Sequence, residues 1–258
     1  ELEVFSWWTG GGEAAGLTKV IAIWKKENPD IKFINAAVAG GAGTNAKAVL
    51  AQRLAANDPP DSFQGHAGSE LQDYIKGGDV EPIDFLYKQA GFGKYFPASL
   101  VSQIRYNGKL YSVPVNIHRA NVLWYNPKVL RDAGITSAPK TWAQFIAALK
   151  KAKDAGVIPL VVGEQWTNKH LFETVLLATV GPRAYTALWK GNARWGSLGV
   201  RRAVARYKEL LTYTNSDAAS LTWQDASKLV VDGKAAFNIM GDWANGYFTE
   251  LKKKPNVH

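Results

Sequence analysis

The first hundred residues alternate between two periodicities, and this limits the possible folds more than any other feature. Leu2–Trp7 is a short apolar run of strand type, ended by the turn Gly10-Gly11-Gly12. Ala14–Asn28 then carries Leu17, Val20, Ile21 and Trp24 at the i, i+3, i+4, i+7 spacing of an amphipathic helix, and Asn28-Pro29-Asp30 stops it. The pattern recurs twice. Strand Ile31–Val38 leads through loop Gly40–Gly43 to helix Thr44–Asn57. After the break Asp58-Pro59-Pro60-Asp61, strand Ser62–Gly65 leads to helix Gly68–Lys76. Three strand–helix units in succession predict an α/β fold of mostly parallel sheets flanked by helices.

The middle of the chain changes character. Tyr106-Asn107-Gly108-Lys109-Leu110 sets Asn-Gly between strand formers, the signature of a type I′ hairpin. Val113–Tyr125 reads as one long strand crossing between domains. Beyond it come helices near Lys128–Ala133, Trp142–Ala155, Asn168–Val180, Val200–Thr214, Trp223–Val231 and Trp243–Lys253, with strands Pro159–Val162 and Ala235–Ile239. Thr141 and Gln144 have the spacing of a capping box. The expected domains are therefore a first α/β lobe over 1–113 and a helix-rich second lobe over 114–258.

Composition removes several functions. Among 258 residues there is no Cys, which excludes disulfide scaffolds, thiol catalysis and thiolate metal sites. No apolar run reaches the ~20 residues of a membrane helix. Charge is uneven, net −3 over residues 1–100 and +12 over 101–258. The basic residues are dispersed rather than blocked, so the reading is a solvated surface and no nucleic-acid partner. No signal-peptide core opens the sequence, consistent with a cytosolic chain or an already mature one.

Catalytic and cofactor motifs are sparse. Gly41-Ala42-Gly43-Thr44-Asn45-Ala46 fits G-x-G-x-x-A, but it follows the second strand rather than the first, so it reads as a tight helix-entry loop and not a cofactor site. Neither a P-loop, nor G-x-S-x-G, nor H-E-x-x-H occurs. Ser137-Ala138-Pro139-Lys140 matches S-x-x-K, with Pro139 where a helix would have to run. His66 and Glu70 are spaced to share a helix face with a metal, yet nothing clusters with them. Glu13, Glu164, Glu173 and Asp242 are carboxylates of glycosidase type without a legible pairing. The expectation is no enzyme, no metal and no cofactor.

Polar groups beside aromatics at element ends point elsewhere. Trp7-Trp8 with Glu13 follows the first strand, and one of the two indoles is free to face the crevice beyond the strand ends. Gln64-Gly65-His66 ends the third strand. Asn116 and His118 alternate on one face of the crossing segment, and Trp223 and Asp242-Trp243 stand at helix starts. Sugars need this mixture, because their hydroxyls bond to carboxylates, amides and imidazoles while their C–H faces stack on indoles.

The segments FSWWTGGGE, NDPPDSFQGHAGSEL, VPVNIHRANVLWY, TWAQFIAALKKAKDAG and GKAAFNIMGDW resemble the extracytoplasmic sugar-binding proteins of ABC transporters, nearest to the glucose/galactose-binding branch of Thermus-type bacteria. The resemblance implies a two-lobed periplasmic-binding-protein fold and a non-enzymatic, monomeric receptor. A hexose would be held between lobes that close by a hinge near Pro114–Ala120, and the closed form presented to permease subunits. Carried over by position, the sugar-binding residues would be Trp8, Glu13, Gln64 and His66, then Trp223 and Trp243 as stacking platforms, with Asn116, His118 and Asp242. The run Thr9-Gly10-Gly11-Gly12 departs from the family's more acidic loop, by what looks like a one-residue shift at Glu13. Relatives are about half as long again, so the chain reads as a C-terminally incomplete fragment. A receptor for oligosaccharides would share every motif, and a carbohydrate-active enzyme is the rival of another class.

Overall fold

Strand β1 (Leu2–Ser6) is the centre of a three-stranded parallel sheet in the computed structural model, which describes residues 1–256; the last two positions of the expected second domain lie outside them. Strand β2 (Phe33–Ala37) pairs along its whole length, from Leu2↔Phe33 to Ser6↔Ala37, and β3 (Ser62–Phe63) pairs on the other side through Val4↔Ser62 and Phe5↔Phe63. The connecting helices are α1 (Gly11–Glu27) and α2 (Thr44–Ala55), followed by α3 (Ser69–Gly77). Phe5 packs on Ala46 and Leu50 of α2, with Trp7, Phe63 and Tyr74 around them. Arg53 of α2 grips β1 as a fork, its Nη1 and Nη2 donating to Glu3 Oε1 and Oε2 at 2.6 and 2.8 Å. Two expectations for α1 need correction. The helix begins at Gly11, inside the triplet read as a turn. Leu17 is buried and Trp24 packs edge-on to Phe33, but Val20 is 55% exposed: it sits off the axis of the Leu17–Ile21–Trp24 stripe.

Two short helices not anticipated from sequence, α4 (Asp84–Ala90) and α5 (Ala98–Gln103), join α3 around Leu71, Tyr87, Ile104 and Leu110. The hairpin of β4 (Arg105–Tyr106) and β5 (Lys109–Leu110) closes this region. Its turn residues Asn107 and Gly108 have φ of 46° and 81°, both positive as a type I′ turn requires.

The chain divides into two units, Glu1–Thr9 with Ala14–Ile117, and Gly10–Glu13 with the residues from His118 onward. The second unit is built on β6 (Val122–Tyr125), β7 (Ile158–Val161) and β8 (Ala235–Met240) in the order β6-β8-β7. All six residues of β8 are buried, as expected for a strand covered on both faces. Its one polar residue, Asn238, is satisfied: Nδ2 donates to the Val161 carbonyl at 2.9 Å, and Oδ1 accepts from Ser227 Oγ at 3.1 Å. Strand β7 runs parallel to β8 and β6 antiparallel, so this sheet is mixed. Around it lie α6 (Pro127–Asp132), α7 (Trp142–Asp154), α8 (Gln165–Trp189), α9 (Leu198–Leu211), α10 (Trp223–Val231) and α11 (Ala244–Glu250).

Three further expectations are corrected. Residues 113–121 form no strand, because the ladder ends at Val122↔Met240, where β8 turns away at Gly241. The helix expected over 168–180 runs from Gln165 to Trp189, interrupted at Gly181 (φ 78°) before Pro182. Thr141 Oγ1 does accept from Gln144 N at 3.2 Å, but the Gln144 side chain reaches one residue further back, accepting from Lys140 N at 2.8 Å.

Candidate functional site

In the first unit, β1, β3 and the entry to α2 bring together Trp7, Lys47, Gln64, His66 and Glu70. Trp7 continues the face of Phe5, and its ring rests on Gly43, where a Cβ would come within 2.8 Å of the indole; Gly43 also holds φ +93°. No side chain fits there. Gln64 Oε1 accepts from Trp7 N at 3.1 Å, and the His66 ring stands 5.2 Å from the indole. Glu70, on the first turn of α3, accepts from His66 N at 3.0 Å and from Lys47 Nζ at 2.6 Å, with His66 Nδ1 at 3.0 Å. Burial alone would raise the Glu70 pKa, but the hydrogen bonds from His66 and Lys47 outweigh it and bring it down to about 2. The i, i+4 pair His66 and Glu70 is thus joined by an ammonium group.

In the second unit, His118 stands between two carboxylates. Its Nδ1 is 2.7 Å from Asp242 Oδ1, and its Nε2 is 3.6 Å from Glu13 Oε1. The chain then locks Asp242 in place: Asp242 N donates to the Arg119 carbonyl at 2.9 Å, and Arg119 N donates to Asp242 Oδ2 at 3.1 Å. Glu13 and then Asp242 raise the His118 pKa, against the opposing effect of burial. Glu13 reaches this position through a backbone contact. A Cβ on Gly246 of α11 would meet Gly12 N at 2.5 Å and Gly12 Cα at 2.6 Å, so two glycines permit the approach. The Trp243 ring lies across Gly241, which has no room for a Cβ, with His118 at 5.2 Å, His170 at 5.7 Å and Trp166 at 6.2 Å. Trp223 packs edge-on to Tyr247 at 5.6 Å.

The structure therefore gathers Gln64 and His66 in one cluster, and Glu13, His118, Asp242 and Trp243 in another. Trp223 lies in the same aromatic group as Trp243, around Met240, Ala244 and Phe248. Trp8 donates from its backbone N to Ser6 Oγ at 3.4 Å, while the indole beside His66 is that of Trp7. Asn116 is exposed in the stretch without a strand, so it shares no strand face with His118. Sequence reading missed Lys47, Glu70, Trp166 and His170 as members of these clusters. The period-two relation of Trp7 to Phe5 was a usable signal for Trp7. Among the described residues, no group of three His, Asp or Glu side chains is arranged to hold a metal ion.

The family model of the bacterial extracellular solute-binding proteins matches residues 8–258. The chain belongs to that family. An uncharacterized ABC transporter extracellular-binding protein of Pyrococcus horikoshii is 37% identical over all of this solute-binding protein and 59% of its own length. A probable sugar-binding periplasmic protein of Mesorhizobium japonicum is 36% identical, again over the whole chain and 61% of its own length. The chain thus spans about three fifths of these relatives. A solved structure of a chitin oligosaccharide binding protein superposes with a TM-score of 0.83 at 27% identity, over 98% of this chain and 64% of that one. The α/β fold expected from the strand–helix alternation, and the solute-binding-protein fold implied by the family resemblance, are both found. No helix among the described residues is long and apolar enough to cross a membrane.

Proposed function

We propose that this solute-binding protein is the extracytoplasmic sugar receptor of an ABC transporter. It takes a hexose of the glucose or galactose type and hands it, as a monomer and without chemical change, to permease subunits. The observation that carries the reading is the second-unit cluster, in which two carboxylates share one imidazole beside the edge of Trp243. Asp242 and Glu13 together offer more acceptor lone pairs than His118 can fill, and sugar hydroxyls are donors that fit them. Trp243 and Trp223 supply apolar faces for C–H groups. Gln64 and His66, beside the Trp7 indole, would add an amide and an imidazole. Trp8 and Asn116 stay within the proposal as further contacts.

A second reading, an oligosaccharide receptor, is favoured by the chitin oligosaccharide binding neighbour. Thermal-shift screening against hexoses, pentoses and short oligosaccharides, followed by calorimetry, separates the two. Glucose or galactose should bind with no gain from additional rings. Affinity that climbs with chain length assigns the second reading, and a blank across the panel sinks both. A reducing-end assay that registers turnover would overturn the non-enzymatic role.

A further inference from the structure

The end of α8 and the start of α9 carry a surface that the sugar proposal does not use. Trp189 is 53% exposed and Trp195 43%, with ring centroids only 5.0 Å apart, and Tyr185 lies 5.9 Å from Trp189. Leu198, the first residue of α9, is 72% exposed. Scattered single apolar residues are ordinary on a surface, but two exposed indoles packed edge-to-face, with an open leucine three residues further on, form a patch. The charge around it is of one sign: from residue 174 to 208 there are seven basic side chains and no acidic one. Arg206 is engaged, donating to Thr179 Oγ1 at 3.1 Å and lying over Trp142 at 5.0 Å. Arg183, Lys190, Arg194, Arg201 and Arg202 are all exposed, and no ion pair among the described residues includes them.

We propose that this face docks on an anionic phospholipid surface. Indoles settle at the headgroup level of a bilayer, where the ring is in an apolar environment and its N–H stays wet. Leu198 gains hydrocarbon contact that a hydrated polymer would not give it. Lys190 and Arg194 flank the turn between the two tryptophans and meet the lipid phosphates. An acidic polysaccharide would satisfy the same cations but leave the apolar part of the patch in water.

Co-sedimentation with phosphatidylglycerol vesicles, compared with phosphatidylcholine vesicles, tests this. The chain should pellet with the anionic vesicles alone and be released as salt rises. Removing charge with Lys190→Gln and Arg194→Gln should weaken partitioning about fivefold per charge. The equally discharged control Lys25→Gln with Lys26→Gln, at the end of α1, should change it by less than about twofold. Trp189→Ala with Trp195→Ala should lower binding further. Leu198→Ser, at an exposed helix start, gives the same direction without disturbing the ring pair. Equal binding to both vesicles, no binding to either, or the same loss in the control pair overturns the proposal. So does retention on an acidic polysaccharide without retention on vesicles. None of these residues belongs to the sugar clusters, so the sugar screen and the vesicle assay fail independently.

Discussion

The two units each place a histidine, a carboxylate and a tryptophan together, but they balance the charges in opposite ways. In the first unit Glu70 is outnumbered: Lys47 and His66 both turn toward it, and its pKa falls to about 2. In the second, His118 has Asp242 and Glu13 on either side, and its pKa rises, while the exposed Arg119 guanidinium stands at 3.8 Å from Asp242 Oδ2. A carboxylate already bonded to an ammonium group, a backbone N–H and an imidazole has few lone pairs left for a ligand. Two carboxylates sharing one imidazole have several. Under the proposed sugar-receptor function, the first cluster is mainly a brace that seats Gln64, His66 and Trp7, and the second is where hydroxyl donors would bind.

If that contrast holds, Trp243→Ala should cost more sugar affinity than any change in the first unit. The expected loss exceeds about 2 kcal/mol, from lost stacking and burial. Calorimetry should show a smaller loss for Trp8→Ala. Equal losses, or an unchanged affinity for Trp243→Ala, would erase the distinction between the clusters. Gly246→Ala probes the backbone contact that delivers Glu13. Its Cβ must displace Gly12, an overpacking expected to cost about 1–3 kcal/mol of stability in urea denaturation, with a parallel loss of sugar affinity. Destabilisation with affinity intact would show that Glu13 is not needed where it stands.

The parts of this arrangement that follow from chain-local rules were legible in the sequence. The parallel order of β1, β2 and β3 follows from three strand–helix repeats, and the hairpin at Asn107-Gly108 from its turn chemistry. Trp223–Val231 has the bounds expected from sequence, and Thr222 caps it, its hydroxyl accepting from Asp225 N at 3.1 Å. What was not legible depends on partners distant in sequence. Residues 113–121 have strand composition but no ladder to join, because β8 ends at Met240. Lys47 gave no local sign of its role, since the carboxylate it serves is 23 residues away. The choice between Trp7 and Trp8 as the indole beside His66 rests on Gly43, whose missing side chain makes room for the Trp7 ring.

The opposed charge balance also predicts opposite pH responses. Glu70 has a folded pKa below its ordinary 4.5, so its stabilisation is complete above 4.5 and fades as pH falls toward about 2. His118 has a folded pKa above its ordinary 6.5, so its contribution is complete below 6.5 and fades as pH rises through the raised value. Stability measured by urea denaturation across pH should lose its acid-side slope in Glu70→Gln, by about 1–2 kcal/mol, and a smaller alkaline-side slope in His118→Gln, because solvent screens that more exposed ring. If either substitution flattens the opposite limb, the assignment of charges to clusters is wrong.

The smallest effect expected is at the fork of Arg53 on Glu3. This pair lies in the same unit as Glu70 but away from the Trp7 cluster, on the other end of α2. Its bidentate geometry and partial burial distinguish it from an ordinary surface ion pair, and the two hydrogen bonds to Arg53 are the main reason the Glu3 pKa is lowered. Arg53→Ala should lower stability only slightly, little more than loss of an exposed pair, because the Glu3 carboxylate regains water once the guanidinium is gone. It should leave sugar affinity unchanged, since it touches neither cluster. A calorimetric loss comparable with that of Trp243→Ala would mean that β1 transmits strain from Glu3 to Trp7. The first cluster would then be no mere brace, and the contrast between the two units would have to be drawn from the strand rather than from the charges.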